Sequence, residues 1–303
     1  ILQSGRQTSS HRRDVSIKPF IFIFTFKEKN RLKLASLNVA GLADANKRHV
    51  IVQLIQGYDI VCLQETHIVR PGVAAIIERL FHGRCYVVQG QRNSGGVMTL
   101  VKHDLDKYII SSEEVPEASM HVLTLTYDDS VCLRLINVYI SHANTVRDLD
   151  ILRKQIVDDN NIHVIAGDFN CPINDINQNK CARPAHRALH DILLENRLHD
   201  SWKTRRPGEV LYSRTLNYMT SRPDAVFVED SIRNLLGTCE VISVPVSDHD
   251  MLTVNINIIP HKRHEYPWVL DNSLLQNNEF VEDVRRIIQS FVVSSLNDWG
   301  NLK

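Results

Sequence analysis

Short apolar runs, each closed abruptly by a polar residue, alternate along this chain with stretches of helical spacing. Val164-Ile165-Ala166-Gly167-Asp168-Phe169-Asn170 is the clearest run: apolar, rich in β-branched residues, and ended by a carboxylate and an amide. That pattern predicts a buried strand with oxygen-bearing side chains at the rim of a sheet. Further strands are predicted at residues 34–39, 59–65, 95–101, 223–228 and 251–258. Residues 121–127 and 131–139 predict a hairpin turning at Asp128-Asp129-Ser130, and residues 211–220 a second hairpin or a protruding loop. Val50, Ile51, Leu54 and Ile55 have helical spacing, which predicts a helix over 46–56; helices are also expected at 73–80, 146–157 and 186–195. Strands with interspersed helices and no long β-α-β repeat predict two packed sheets faced by helices.

The two ends differ from this body. Residues 1–31 are dominated first by Ser, Arg and Gln and then by Pro19-Phe20-Ile21-Phe22-Ile23-Phe24, and are expected to be a disordered or poorly packed tail. The folded domain is expected over 32–259. Beyond it, His261-Lys262-Arg263-His264 reads as a basic linker and 275–293 as an amphipathic helical stretch.

Composition narrows the class. A chain of 303 residues, 43% hydrophobic and 23% charged, holds one large domain with appendages. Its formal net charge of zero excludes a global basic field. Arg197, Lys203, Arg205, Arg206, Arg214 and Arg222 nevertheless stand against only Asp200 and Glu209 between 197 and 222, as a solvated face or as a local surface for a polyanion. The six cysteines show no C-x-x-C spacing, which argues against structural zinc, and four lie in or beside strand-like runs. No secretory signal is visible, and residues 20–26 are too short to span a bilayer. A reducing, intracellular setting without a membrane partner fits.

Asn38, Glu65, Tyr139, Asp168 with Asn170, Asp224, and Asp248 with His249 all terminate apolar runs. Each alone reads as a turn former or a solvated end. Together they form a chemical set. Glu65 and Asn38 offer the oxygen ligands that a hard ion such as Mg²⁺ prefers. Asp168 suits orientation and deprotonation of a water, a carboxylate-oriented His249 suits a phosphoryl oxygen, and Tyr139 and Asn170 can donate to charge developing on phosphorus. These are the parts that phosphodiester cleavage needs.

Leu37-Asn38-Val39, Leu63-Gln64-Glu65-Thr66, Ser94-Gly95-Gly96-Val97, Asn137-Val138-Tyr139, Gly167-Asp168-Phe169-Asn170, Ser221-Arg222-Pro223-Asp224 and Ser247-Asp248-His249 follow one another in an order that resembles the endonuclease/exonuclease/phosphatase superfamily over about residues 32–258. The resemblance implies an α/β (α+β) fold, a four-layered α/β sandwich of two packed mixed sheets flanked by helices, like DNase I and the abasic-site endonucleases. Within it, Leu37-Asn38-Val39-Ala40-Gly41-Leu42 and Leu63-Gln64-Glu65-Thr66-His67 look most like the endonuclease domain of LINE-type non-LTR retrotransposons. Trp268-Val269-Leu270-Asp271-Asn272-Ser273-Leu274-Leu275 with Glu279-Phe280-Val281 resembles the segment that precedes reverse transcriptase in such polyproteins. No polymerase motif follows, so a truncated copy or isolated fragment is expected.

Carried over residue by residue, the resemblance makes Glu65, Asn38 and Asp248 the metal set, with Mg²⁺ or Mn²⁺ as cofactor. It makes Asp168, His249, Tyr139, Asn170 and Asp224 the catalytic set, His249 being oriented by Asp224. It places a minor-groove hairpin before Asp224, with Arg214, Asn217, Tyr218 and Arg222 as DNA contacts; an ordinary surface hairpin is the alternative. The implied partner is double-stranded DNA, with element-encoded RNA or a reverse transcriptase as further candidates, and the implied location is nucleus or cytoplasm. Two departures stand out. His142 lies where the family has a Pro-Asn step and is either a DNA-side donor or a tolerated substitution; Pro223 is acceptable only at a strand start or an edge. The expected activity is metal-dependent nicking that leaves a 3′-hydroxyl for target-primed reverse transcription. Alternatives are a phosphodiesterase or phosphatase of the same superfamily on a non-DNA substrate, and a degenerate remnant that binds nucleic acid without cutting it.

Overall fold

Alternation along four strands sets the plan of the molecule. In β1 (Arg31–Asn38) Leu32 and Leu34 face one cluster of buried residues while Ala35 and Leu37 face another. In β2 (Ile60–Gln64) Ile60 and Cys62 divide in the same way from Val61 and Leu63. The period of two sends neighbouring side chains to opposite faces, so each strand is covered on both sides. The computed structural model describes residues 31–68, 70–90, 94–126, 132–157, 161–173, 183–257 and 281–282. Two compact units divide the chain, Ile1–Pro260 and His261–Lys303. In the second, only Val281 and Glu282 are described, and both are helical. The expected tail, apart from Arg31, which begins β1, lies outside the described residues, as do the basic linker, most of the expected helix at 275–293 and the turn at Asp128-Asp129-Ser130.

The remaining elements, in chain order, are α1 (Ala45–Ile55), α2 (Pro71–Phe81), β3 (Gly83–Val88), β4 (Val97–Lys102), β5 (Ile109–Val115), β6 (Met120–Thr126), β7 (Cys132–Tyr139), α3 (Thr145–Gln155), β8 (Ile162–Asp168), α4 (Pro184–Glu195), β9 (Leu198–Asp200), α5 (Ser201–Arg205), β10 (Arg214–Leu216), β11 (Met219–Ser221), β12 (Asp224–Glu229), β13 (Leu236–Ile242) and β14 (Met251–Asn257). One sheet has the order β13-β14-β1-β2-β4-β3 and the other β5-β6-β7-β8-β12-β9. Both are mixed: β1 pairs with β2, and β7 with β8, in parallel, and the other pairings are antiparallel. Parallel neighbours need a crossover, and α1 and α3 lie between them in the chain.

Three clusters of buried residues fill the space between layers. Leu34, Ile60, Leu135, Val164, Val226 and Leu252 meet between the sheets. Ile51, Ile55, Ile77 and Phe81 of α1 and α2 cover the first sheet, and Leu149, Leu152, Leu189 and Ile192 of α3 and α4 cover the second. The result is the expected order of helix, sheet, sheet, helix. Local sequence fixes the helix starts. Asp44 Oδ1 accepts from Lys47 N at 2.7 Å to cap α1, and Pro71 and Pro184 sit in the first turns of α2 and α4, where a missing N–H costs nothing. Among the described residues no helix is long and apolar enough to cross a membrane.

The interior-facing stripe changes character toward one end. On β1 it reads Leu32, Leu34, Ser36, Asn38; on β2 Ile60, Cys62, Gln64; on β7 Leu133, Leu135, Asn137, Tyr139; on β8 Ile162, Val164, Ala166, Asp168. Where it turns polar, Gln64 Nε2 donates to Asn137 Oδ1 at 2.8 Å across the sheets, and Asn137 Nδ2 donates to the Met98 carbonyl at 3.0 Å and Thr99 Oγ1 at 3.2 Å. His121 continues the belt at 2.9 Å from Thr99, and burial lowers its pKa to about 4, so it stays neutral. Such bonds are directional, whereas apolar packing is not, so the belt fixes how the sheets register.

Pro223 ends up immediately before β12, where no ladder N–H is lost, and its carbonyl accepts from Phe169 N at 2.9 Å. Gly167 has a positive φ of 153°, and a Cβ there would lie 2.0 Å from the Val138 carbonyl oxygen on the parallel neighbour. Gly167→Ala is therefore expected to lower the unfolding free energy by about 2–4 kcal/mol. Urea denaturation checks this, and unchanged stability would mean that β7 and β8 can separate without cost.

Candidate active site

The polar end of the sandwich gathers residues that are far apart in the chain. Asn38 ends β1, Glu65 follows β2, Tyr139 ends β7 and Asp168 ends β8. Asp224 begins β12, which runs antiparallel to β8 with Asp224 opposite Asp168. His249 sits just before β14, antiparallel to β1. Parallel strands bring their C-terminal ends to one rim, and antiparallel neighbours bring their starts to the same rim.

Asn38 Nδ2 donates to Glu65 Oε1 at 3.0 Å and to Asp168 Oδ2 at 2.8 Å. Asp168 Oδ1 accepts from Asn170 N at 2.8 Å, and Asn170 Nδ2 donates to the Ile140 carbonyl at 2.8 Å. Asp224 Oδ2 lies 2.8 Å from His249 Nδ1 and accepts from Ser213 Oγ at 2.7 Å. His249 Nε2 lies 4.0 Å from Asp168 Oδ2. Ser247 Oγ donates to the Asn38 carbonyl at 2.7 Å, tying the His249 loop to β1. Several of these positions hold a strained backbone: Ala40, Glu65, His67 and Asn170 have φ of 43°, 49°, 53° and 45°.

Electrostatics follow from this packing. Burial, then the charge of Asp224, raises the Asp168 carboxyl to about 7, against the pull of His249, Asn170 and Asn38. For His249, burial acts to lower the pKa, but the hydrogen bond and charge of Asp224, with Asp168 and Asp248 behind it, carry it above the ordinary imidazole range. Burial and the Glu65 carboxylate hold Tyr139 as a neutral phenol, with a hydrogen bond to Asn170 acting the other way.

Two kinds of cation site can be distinguished in this cluster. Ligand atoms of Asp168, Asp224 and His249 all lie within 4.8 Å of one another. All three are buried, His249 is bonded to Asp224, and Asp168 is taken by Asn38 and the Asn170 N–H, which suits holding a proton better than holding a hydrated ion. The Glu65 side is more open, its side chain being 25% exposed, and there two carboxylates turn toward one point now filled by the Asn38 amide N–H groups. An all-oxygen set of this kind fits a hard divalent ion. Asn38 Oδ1 accepts from Ala40 N at 2.9 Å and keeps a second lone pair.

Other expected residues lie elsewhere. Asp248, expected near the metal, has an oxygen committed to Arg214 Nε at 2.9 Å. That pair anchors the base of the β10–β11 hairpin, where Arg214 also bridges to His249. Asn217 and Tyr218 form the hairpin tip, both with positive φ, and Tyr218 is fully exposed. His142 is exposed ahead of α3. Arg222 corrects the expectation of a DNA contact: its side chain is 0% exposed and makes two 2.8 Å bonds to Asp200, so it is an interior ion pair. Ser213, Ser247 and His67, the last 3.4 Å from Glu65, belong to the cluster without having been singled out. Ser247 and His67 stood inside quoted motifs, whereas nothing in the sequence marked Ser213.

The polar end of the four-layered sandwich thus joins Asn38, Glu65, Asp168, Asp224 and His249. Residues 35–249 match the Endonuclease/Exonuclease/phosphatase family, and the chain belongs to it. Over 289 residues, 89% of its length, it is 24% identical to the "Transposon TX1 uncharacterized 149 kDa protein" of Xenopus laevis, and it spans 22% of that protein. AP endonuclease LMAP from Leishmania major superposes with a TM-score of 0.62 at 18% identity, over 79% of this chain and 92% of its own. An AP endonuclease from Archaeoglobus fulgidus gives 0.61 at 18% identity, over 75% of this chain and 100% of its own. At such identities the likeness concerns the fold.

The raised carboxyl of Asp168 has a consequence for stability. A carboxyl held above its ordinary value stays protonated in the folded chain while the unfolded chain ionises. Its contribution is therefore lost as pH rises from the ordinary carboxylate range to about 7. The raised imidazole of His249 acts in the same sense at higher pH, its contribution being present below the ordinary value and lost above the folded one. In metal-free urea denaturation, Asp168→Asn is expected to gain on the wild type steadily across that window. A difference independent of pH would refute the assignment.

Proposed function

We propose that this chain is a divalent-metal-dependent DNA endonuclease that hydrolyses one phosphodiester bond, nicking target DNA and leaving a 3′-hydroxyl from which reverse transcription is primed. The observation that carries the reading is the shared amide of Asn38, which joins the Glu65 and Asp168 carboxylates beside the His249–Asp224 pair. Family membership supports a phosphoester substrate, and the transposon relative supports the priming role.

Glu65 and Asn38 would hold the ion, Mg²⁺ or Mn²⁺. When bound, it supplies Lewis acidity toward a phosphoryl oxygen. The residues themselves do the following. Asp168, with a carboxyl near neutral pKa, accepts the proton of the attacking water. His249, kept cationic by Asp224, presents Nε2–H to a non-bridging oxygen as negative charge grows there. Ser213 holds the same Asp224 oxygen and so fixes the ring orientation. Tyr139 and Asn170 donate to the phosphate. Asp248 is assigned to the hairpin base, through Arg214, rather than to the ion. His142, Arg214, Asn217 and Tyr218 face DNA, with Tyr218 and Met219 as an exposed wedge for a groove.

The deciding experiment is relaxation of supercoiled plasmid with Mg²⁺. Wild type is expected to give open circles extendable by a polymerase, and chelation should abolish them. Glu65→Ala and His249→Ala should each lose at least about 10²–10³-fold in rate. Equal, background-level activity of all three would indicate a binding remnant, and turnover of phospholipid or inositol phosphate without DNA cleavage would move the substrate to another branch of the family.

The hairpin reading makes a separate prediction. Tyr218→Ala combined with Met219→Ala should redistribute nick positions on a sequenced fragment while Glu65-dependent cleavage persists. An unchanged nick map would leave β10–β11 as a mere surface hairpin.

A further inference from the structure

The three residues that follow β2 form a strained bend. Glu65 and His67 have φ of 49° and 53°, a region that L-residues rarely enter. Loops on both sides hold the bend in place. Gly41 N and Leu42 N donate to the Glu65 and Thr66 carbonyls at 2.7 and 3.0 Å. Thr66 N and His67 N donate to the Gly96 and Gly95 carbonyls at 3.1 and 3.3 Å. Strain of this kind persists where the surroundings over-determine it, and it gathers at working sites. Its local result is a meeting of two side chains: His67 Nε2 lies 3.4 Å from Glu65 Oε2.

A glycine makes room for the ring. A Cβ on Gly41 would stand 3.0 Å from His67 Nδ1, so the imidazole is seated directly on the main chain of the loop after β1. His67 Nε2 is buried and makes no hydrogen bond, although a carboxylate oxygen is within reach. An unpaired buried nitrogen is costly, and a small turn of the Glu65 carboxylate would satisfy it. The other oxygen, Oε1, already accepts from Asn38 Nδ2 at 3.0 Å. A carboxylate gripped at one oxygen can still swing. With a donor on each edge its plane is fixed, and with it the direction in which it offers lone pairs to an ion. Ligating carboxylates depend on such outer partners for affinity.

We propose that His67 is a positioning residue: seated on Gly41, it donates from Nε2 to Glu65 Oε2 and sets the carboxylate for a divalent ion. It touches neither the ion nor the phosphate. The inference rests on Glu65 as the ligand of that ion.

The test is Mn²⁺ binding to the full chain without DNA, followed by electron paramagnetic resonance. Wild type is expected to bind the ion, and Glu65→Ala to bind it at least about tenfold more weakly. His67→Ala should weaken binding by about 10–100-fold. His67→Gln keeps an N–H at similar reach and should stay within about threefold of wild type. Gly41→Ala pushes on the ring without removing a polar group and should cost about threefold or more. Wild-type affinity in His67→Ala or in Gly41→Ala would overturn the proposal. So would a His67→Gln as weak as His67→Ala, since the ring would then be a filler and not a donor. A nitrogen coupling to bound Mn²⁺ that disappears in His67→Ala would make His67 a direct ligand, and would overturn it too. If Glu65→Ala leaves Mn²⁺ binding unchanged, the ion reading falls and this inference with it. If Glu65→Ala weakens binding and His67→Ala does not, this inference falls alone.

Discussion

One side-chain amide holds the two sheets together at their chemical end. Asn38 extends from the first sheet, and its nitrogen is claimed by a carboxylate on its own side and by another on the second sheet. Hydrogen bonds to carboxyl groups are among the stronger ones, and here they hold Glu65 and Asp168 near one another. Burial, and then the charge of Asp224, make ionisation of Asp168 costly, which is why it holds its proton toward neutrality. The bond from Ser247 to the Asn38 carbonyl brings the His249 loop into the same assembly. Glu65, Asp168 and the His249 loop therefore share a single mechanical support.

Behind that support, polarity rises along the strands in steps, from aliphatic residues to amides and then to carboxylates. The amide step, Gln64 against Asn137, decides relative placement of the sheets to within a hydrogen-bond length. Aliphatic packing alone would tolerate sliding, because its energy follows area rather than direction. Glu65 is the next residue after Gln64, and Tyr139 is two after Asn137, so precision in the belt passes directly to the site.

The sequence made the central strands legible because they are buried on both faces and read as near-continuous apolar runs. The strands it did not reveal are β3, β5, β9 and β13, and these four are the sheet edges. β5, Ile-Ile-Ser-Ser-Glu-Glu-Val, is exposed along most of its length, which is how an edge avoids pairing with strangers. The gathering of Asn38, Glu65, Asp168, Asp224 and His249 was legible because each stands at one end of an apolar run. Ser213 was not, since a serine in a polar stretch carries no periodic signal and acquires its partner only through tertiary contact. Arg222 failed as a DNA contact for the converse reason. Charge suggested a surface, but Asp200, more than twenty positions earlier in the chain, takes it inside.

Glu65 and Asn170 each combine a functional side chain with a left-handed backbone that glycine would occupy more comfortably. An L-residue in that region is disfavoured by about 1–2 kcal/mol. Only glycine at either position would relieve that tension, since alanine keeps the Cβ that causes it. Glycine at either position would then remove a functional group while easing the backbone, so this centre can be emptied of its chemistry without unfolding the chain.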